Sequence, residues 1–173
     1  PPRRMVILMS LTNDRKSLEP YLKDSVNFYQ HQITGVRQMI RMRNFLLADD
    51  MGLGKSLQAI TVAVADIFQG RAEKLLVIAP VTLKENWKDE FEKFTSIDAT
   101  VFGVMPDPKN PERRKVLGPA ARSVQLETFA VQSGPRVLIC NYEQIVRHLH
   151  ELNGIGFDIA IFDEAHYLKN HKS

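Results

Sequence analysis

The sequence predicts an α/β domain with a central, mainly parallel sheet and helices on both faces. Two observations carry that expectation. Short apolar runs occur at Phe45–Ala48, Leu75–Ala79, Ala99–Val104, Val137–Cys140 and Phe157–Phe162. They are rich in Val, Ile, Leu and Phe and lack polar alternation, as strands buried on both faces do. Between them lie helix-spaced stripes: Leu57, Ile60, Val64, Ile67 and Phe68; then Leu83, Trp87, Phe91 and Phe94; then Tyr142, Ile145, Val146, Leu149 and Leu152. Each stripe is most simply a face packed on a sheet. Strand and helix in alternation make a parallel sheet covered on both sides.

Composition bounds the rest. The 173 residues suffice for one domain with a sizeable core. An apolar fraction of 44% and a charged fraction of 25% are ordinary for a globular protein. A net charge of +3 does not by itself call for a polyanion. The lone cysteine, Cys140, cannot form an internal disulfide, which suits a bacterial or phage-host cytoplasm or a nucleus. No apolar run approaches the roughly 18 residues that span a bilayer, so no membrane partner is expected. Residues 1–20 read as an N-terminal arm and 21–173 as the lobe itself, ending shortly after its last catalytic motif. A helix is expected from Phe28 to Met42. Residues 105–135 are broken by Pro106, Pro108, Pro111, Pro119 and Pro135; two short helices are expected there, at Glu112–Leu117 and Ala121–Val131.

The chemistry concentrates in two places. Ala48-Asp49-Asp50-Met51-Gly52-Leu53-Gly54-Lys55-Ser56 follows a strand and opens a helix, the setting that a phosphate-binding loop requires. Gly52 and Gly54 let the backbone bend and bring N–H groups toward phosphate oxygens. The helix N-terminus adds a favourable dipole. Lys55 is placed to reach the β- and γ-phosphates, and the Ser56 hydroxyl to ligate Mg2+. The strict pattern wants a first glycine where this chain has Asp49. The second place is Ile161-Phe162-Asp163-Glu164-Ala165-His166, two acids just past an apolar strand. Ligands of open parallel sheets bind outside the carboxyl ends of the strands. A carboxylate there holds magnesium and a second one activates water, so Asp163 is assigned to the metal and Glu164 to water. His148 and His150 have no partners for a zinc site.

These stretches resemble motifs I and II of superfamily 2, and more narrowly its switch/sucrose-nonfermenting branch of double-stranded-DNA translocases. Asp50 to Ser56 and Asp163-Glu164-Ala165-His166-Tyr167-Leu168-Lys169-Asn170 carry the likeness, the latter opening with a DEAH box. Phe28-Tyr29-Gln30 followed by Gly35 resembles the Q motif. Ile78 to Leu83 with Asn86-Trp87 and Glu90-Phe91 resembles motif Ia. Val137 to Glu143 resembles motif Ib, with Asn141 where Thr or Ser is usual. The likeness runs in order from about Leu22 to Asn170.

What it implies is the first RecA-like lobe of a P-loop NTPase, an ATP hydrolase working with ATP and Mg2+ on duplex DNA. Gln30, Gly52, Leu53, Gly54, Lys55 and Ser56 would hold the nucleotide, and Gln30 would read the adenine edge. His166 would link nucleotide to a later DNA-contacting motif. Thr82, Lys84 and Asn141 would face DNA, with Lys88, Arg113, Arg114 and Lys115 as further phosphate contacts. Thr82 as a helix cap is an equally good reading. Nothing resembling the second lobe and its arginines follows Asn170, so that lobe is an expected partner absent from this chain, and the fragment alone is expected to be inactive. A strand-separating DNA or RNA helicase, or a nucleotide-binding interaction module, are the alternatives.

Overall fold

The computed structural model describes residues 22–23, 26–42, 47 and 52–164. The expected arm, all but Leu47 of the strand Phe45–Ala48, Asp49 to Met51, His166 and the Leu168-Lys169-Asn170 stretch lie outside the described residues.

Helix α1 spans Gln30–Arg41 and α2 spans Lys55–Phe68. Strand β1 (Lys74–Ile78) leads through a 3-10 turn at Val81–Leu83 into α3 (Lys84–Phe94) and β2 (Asp98–Val101). A ribbon follows, β3 (Val104–Asp107) and β4 (Asn110–Val116), then α4 (Pro119–Val131) and β5 (Arg136–Cys140). Two short helices, α5 (Tyr142–Arg147) and α6 (Leu149–Ile155), precede β6 (Ile159–Phe162).

The main sheet has the order β2-β5-β1-β6, and every pairing is parallel. Side chains alternate across it with the period of a strand. Leu75, Val77, Val137 and Ile139 join Ile60, Val64 and Ile67 of α2 and Trp87 and Phe91 of α3 in one core. Leu76, Ile78, Leu138 and Cys140 join Leu126 and Phe129 of α4 and Leu152 and Ile155 of α6 in the other. A fully buried side chain such as Phe91 contributes about 1.5–3 kcal/mol by leaving water. The expected architecture therefore holds.

Three expectations are corrected. Glu112–Leu117 is no helix: residues 110–116 form β4, antiparallel to β3 with Val104 opposite Val116 and Met105 opposite Lys115. The Asp107 carboxylate accepts the Lys109 amide (2.9 Å), a local turn bond that folds the chain back on itself. The run Arg113-Arg114-Lys115 is exposed and has no apolar stripe to bury as a helix. Pro106 is tolerated because a two-stranded ribbon leaves each strand one unpaired edge. The run Ala99–Val104 also splits, ending as a sheet strand at Val101 and turning at Phe102-Gly103.

The third helical stripe breaks in two at His148, whose φ of −120° and ψ of 26° leave the helical region. Val146 (67% exposed) and Leu149 (54% exposed) face outward, while Leu152 and Ile155 reach the core. The His148 ring stands edge-on to Phe102 at 5.1 Å, which anchors the break against the sheet. In α2, Phe68 at the end of its stripe is 39% exposed.

Candidate nucleotide and DNA-facing site

The loop before α2 is built on left-handed glycines. Gly52 has φ of +83° and Gly54, the N-cap of α2, has φ of +73° and ψ of 38°. The backbone angle requires glycine at Gly54, where a β-carbon would also displace the end of the Gln32 side chain. Lys55 and Ser56 are the first residues of α2, both half-buried. The amides of that first turn point out of the helix end, where an anion is favoured.

The glutamine that meets this loop is Gln32, not Gln30. Gln32 is buried, its Nε2 donates to the Leu53 carbonyl (3.2 Å), and its Oε1 accepts the Tyr29 amide (3.0 Å). The His31 ring lies 3.3 Å from the same Leu53 carbonyl. Gln30 is exposed at the start of α1, where its own carbonyl accepts the Thr34 hydroxyl (3.0 Å). The helix turns the two glutamines about 200° apart, so only one of them can face the loop.

Asp163 follows β6 at the carboxyl edge of the sheet and is held on three sides. Its amide donates to the Ile78 carbonyl at the end of β1 (2.8 Å). Its carbonyl accepts the Tyr142 hydroxyl (2.6 Å). One carboxylate oxygen, Oδ2, accepts the indole N–H of Trp87 (2.8 Å). Burial first, then the Asp163 and Glu164 carboxylates, push the Tyr142 pKa up, so its hydroxyl keeps the proton it donates. Glu164 has φ of +53°, the one non-glycine residue in the left-handed region among the described residues. Such strain at a carboxylate is characteristic of functional sites. The sequence reading placed Trp87 and Tyr142 in apolar stripes and in the motif Ia and Ib likenesses, without a contact to Asp163.

The DNA-facing set changes. Lys84 is 8% exposed and its ammonium donates to the Phe102 carbonyl and the Gln144 side chain, both at 3.2 Å. Burial holds its pKa below the usual lysine value. A buried, committed ammonium does not reach a phosphate, which corrects the assignment of Lys84 to DNA. The Asn141 side chain is likewise committed: it caps α5 by accepting the Gln144 amide (2.8 Å), while Gln144 accepts the Asn141 amide (3.0 Å). That explains why Asn serves where Ser or Thr is usual. Lys88 pairs with Glu92 along α3. Thr82 is exposed on the 3-10 turn and caps neither that turn nor α3. Arg114 reaches Glu85 in the first turn of α3 (3.5 Å), which ties the basic ribbon to the start of that helix.

Among the described residues no cluster of three or more His, Cys, Asp or Glu side chains is arranged to hold a metal by itself. None of their helices is long and apolar enough to cross a membrane.

A parallel sheet with a left-handed glycine loop opening one helix and an acidic pair ending one strand defines a nucleotide-binding α/β lobe. The chain belongs to the SNF2-related domain family, which it matches over residues 31–173. It is 33% identical over 160 residues to the human DNA repair and recombination protein RAD54B, covering 88% of this chain and 16% of that protein. It is 30% identical over 162 residues to human chromodomain-helicase-DNA-binding protein 7, covering 86% of this chain and 5% of that one. Among solved structures it resembles a Sulfolobus solfataricus SWI2/SNF2 ATPase core in complex with dsDNA. The TM-score is 0.65 at 28% identity, over 90% of this chain and 29% of that one. The fold is thus a RecA-like lobe of the SWI2/SNF2 type, and the chain spans only a small part of these relatives.

Proposed function

We propose that this chain is the ATP-binding lobe of a DNA-dependent ATPase that couples hydrolysis to translocation on duplex DNA inside the cell. The observation that carries the reading is the pairing of two features on one sheet. One is a left-handed glycine loop that opens α2 at Lys55 and Ser56. The other is the acidic pair Asp163-Glu164 ending β6, with Glu164 in the left-handed region. In this reading Gly52, Leu53 and Gly54 wrap the phosphates with their backbone, and Lys55 neutralises the β- and γ-oxygens. Gln32 takes the base-side role first given to Gln30, supported by its bond to Leu53. Glu164 orients and deprotonates the attacking water. His166 of the DEAH box passes the state of the site toward DNA.

Magnesium suits the residues present. The Ser56 hydroxyl and the second oxygen of Asp163 are hard donors, and magnesium takes one or two carboxylates with phosphates and waters completing its shell. Bound there, it would offset charge on the phosphate oxygens. On the DNA side the exposed Thr82 turn and the adjacent basic ribbon offer phosphate contacts without base readout. The arginines that stabilise the transition state would come from a second lobe. They are worth roughly 10³–10⁵ in rate, so residues 1–173 alone should bind nucleotide weakly and turn it over negligibly.

The test is steady-state phosphate release by the full-length protein, with and without duplex DNA, alongside the 173-residue chain and Lys55→Ala. Duplex DNA should stimulate the full-length protein, and Lys55→Ala should silence it. DNA-stimulated release by the short chain, absent in its Lys55→Ala form, would overturn the two-lobe reading. Efficient strand displacement by the full-length protein would favour a helicase instead.

A further inference from the structure

We infer that Trp87 is a positioning residue for the nucleotide site: its indole N–H holds one oxygen of Asp163 so that the other is presented to the metal. The inference rests on the proposed role of Asp163. Trp87 sits on α3, 76 residues away in sequence, and is buried in the core beneath β1. Its ring packs 6.3 Å from Phe91, so the indole cannot swing away from the carboxylate without unpacking the core. A buried indole N–H requires an acceptor. Here the acceptor is a carboxylate, and such charge-assisted bonds are about twice as strong as neutral ones.

The bond answers a specific problem. The terminal torsion of an aspartate is broad and roughly two-fold. An untethered Asp163 would present either oxygen, or both, over a range of directions. The backbone of Asp163 is already fixed by Ile78 and Tyr142, so what is left to set is the orientation of the side chain, and Trp87 holds it through one carboxylate oxygen. Phenylalanine would fill much of the same core space and leave the carboxylate free to turn. Trp87 lies one turn into the helix that the exposed Val81–Leu83 turn leads into. The group that orients the proposed metal ligand therefore stands on the helix that directly follows the turn carrying the proposed DNA contact at Thr82.

Trp87 is the chain's single tryptophan, so one indole N–H resonance of the ¹⁵N-labelled chain reports this bond. Asp163→Asn should move that resonance. Magnesium with a non-hydrolysable ATP analogue should move it in the unaltered chain, and the analogue in EDTA should move it less. In Trp87→Phe, affinity for the magnesium–analogue complex should fall about tenfold, the worth of one hydrogen bond to a charged group. Affinity for the analogue in EDTA should stay within about twofold. Equal losses with and without magnesium, or no loss in either, would overturn the inference and leave Trp87 a packing residue. If Trp87→Phe does not fold, an indole resonance unmoved by Asp163→Asn overturns it as well. Lys55→Ala separates the two layers. Analogue binding that survives Lys55→Ala sinks the nucleotide reading and the inference together. Binding that requires Lys55, yet keeps its full magnesium dependence in Trp87→Phe, sinks the inference alone.

Discussion

Arg136→Ala should destabilise the fold severely and leave the proposed chemistry untouched. Arg136 opens β5 and is 2% exposed. Its guanidinium donates to the carbonyls of Phe129 (2.8 Å), Ala130 (3.3 Å) and Gly134 (2.6 Å), and to Glu73 (3.1 Å). It also lies over the Phe129 ring at 5.3 Å. Phe129 and Ala130 belong to the last turn of α4, whose carbonyls have no partner within the helix. Alanine would strand those acceptors and open a void beneath Phe129. Stranding these buried carbonyls, at about 1–3 kcal/mol each, costs about 3–5 kcal/mol in all. At about 2–4 °C per kcal/mol for a chain of this size, the melting temperature should fall by roughly 6–20 °C. Glu73→Gln is the control. Glu73 is half exposed and Gln keeps an oxygen for the Gly134 amide, so the loss should be about 1 kcal/mol or less. Nucleotide affinity of Arg136→Ala, measured cold where it is folded, should match wild type. Arg136 lies at the amino edge of the sheet, about 13 Å along β5 from Cys140. Urea titrations of both variants decide the matter. A loss under about 1 kcal/mol for Arg136→Ala, or an equal loss for Glu73→Gln, would refute the capping role.

Other outcomes follow from the same structure. Lys84→Met should change stability by no more than about 1 kcal/mol at pH 7, because the desolvation it relieves offsets the bonds it removes. The Phe102 carbonyl keeps Gln144 as a donor (2.9 Å), and duplex-DNA affinity should not fall. The pH dependence has a definite sign. The Lys84 pKa is lowered by burial from 10.5, so the unfolded chain binds more protons between the lowered value and 10.5. Wild type should therefore gain stability relative to Lys84→Met as pH rises through that window, measured by urea melts. In the full-length protein, Glu164→Gln should keep ATP binding while turnover falls roughly 10²–10⁴-fold, and turnover within threefold of wild type would remove Glu164 as the base. Glu164→Gly should abolish turnover yet not destabilise, since relief of a left-handed residue, about 1–2 kcal/mol, offsets the added chain entropy. Burial pushes the Cys140 thiol up to about 12, so thiol reagents at pH 8 should modify it only through unfolding. Labelling of the native chain at the rate of the urea-unfolded chain would contradict its burial.

What was legible in the sequence was what depends on local pattern. Strands β1, β5 and β6 of the main sheet each sit within two residues of an apolar run, because strands buried on both faces show themselves as runs. The phosphate-loop context was legible because glycine spacing is a backbone requirement. Choosing between Gln30 and Gln32 was not, since it depends on which side of α1 meets the loop. The bond from Trp87 to Asp163 was hidden for the same reason: a stripe gives the burial of an indole but not the acceptor its N–H will find. Lys84 read as solvated because lysines usually are; only the tertiary fold brings the Phe102 carbonyl and Gln144 around it. Residues 113–115 failed because a charged run has no periodicity to separate a helix from an exposed ribbon.

The two edges of the sheet divide the work, and the parallel register is what divides it. Ile78 stands level with Cys140 on one side and with Phe162 on the other. The residues just beyond β1, β5 and β6 therefore emerge together. Ala79 donates to the Cys140 carbonyl (3.0 Å) and Asp163 to the Ile78 carbonyl (2.8 Å). After these bonds each chain leaves in its own direction: into the Val81–Leu83 turn, into the Asn141 cap of α5, and into Asp163-Glu164. At the opposite edge the polar groups are consumed by structure. Asp158 accepts the amides of Glu73 (2.8 Å) and Lys74 (2.9 Å), and Arg136 caps α4. An antiparallel sheet would alternate strand starts and strand ends along each edge, mixing these roles. Here every carboxyl end lies on one side, so a side chain added past any of these three strands lands near the others. That is why Trp87 and Tyr142, from distant parts of the chain, meet at one aspartate, the indole on its carboxylate and the phenol on its backbone carbonyl.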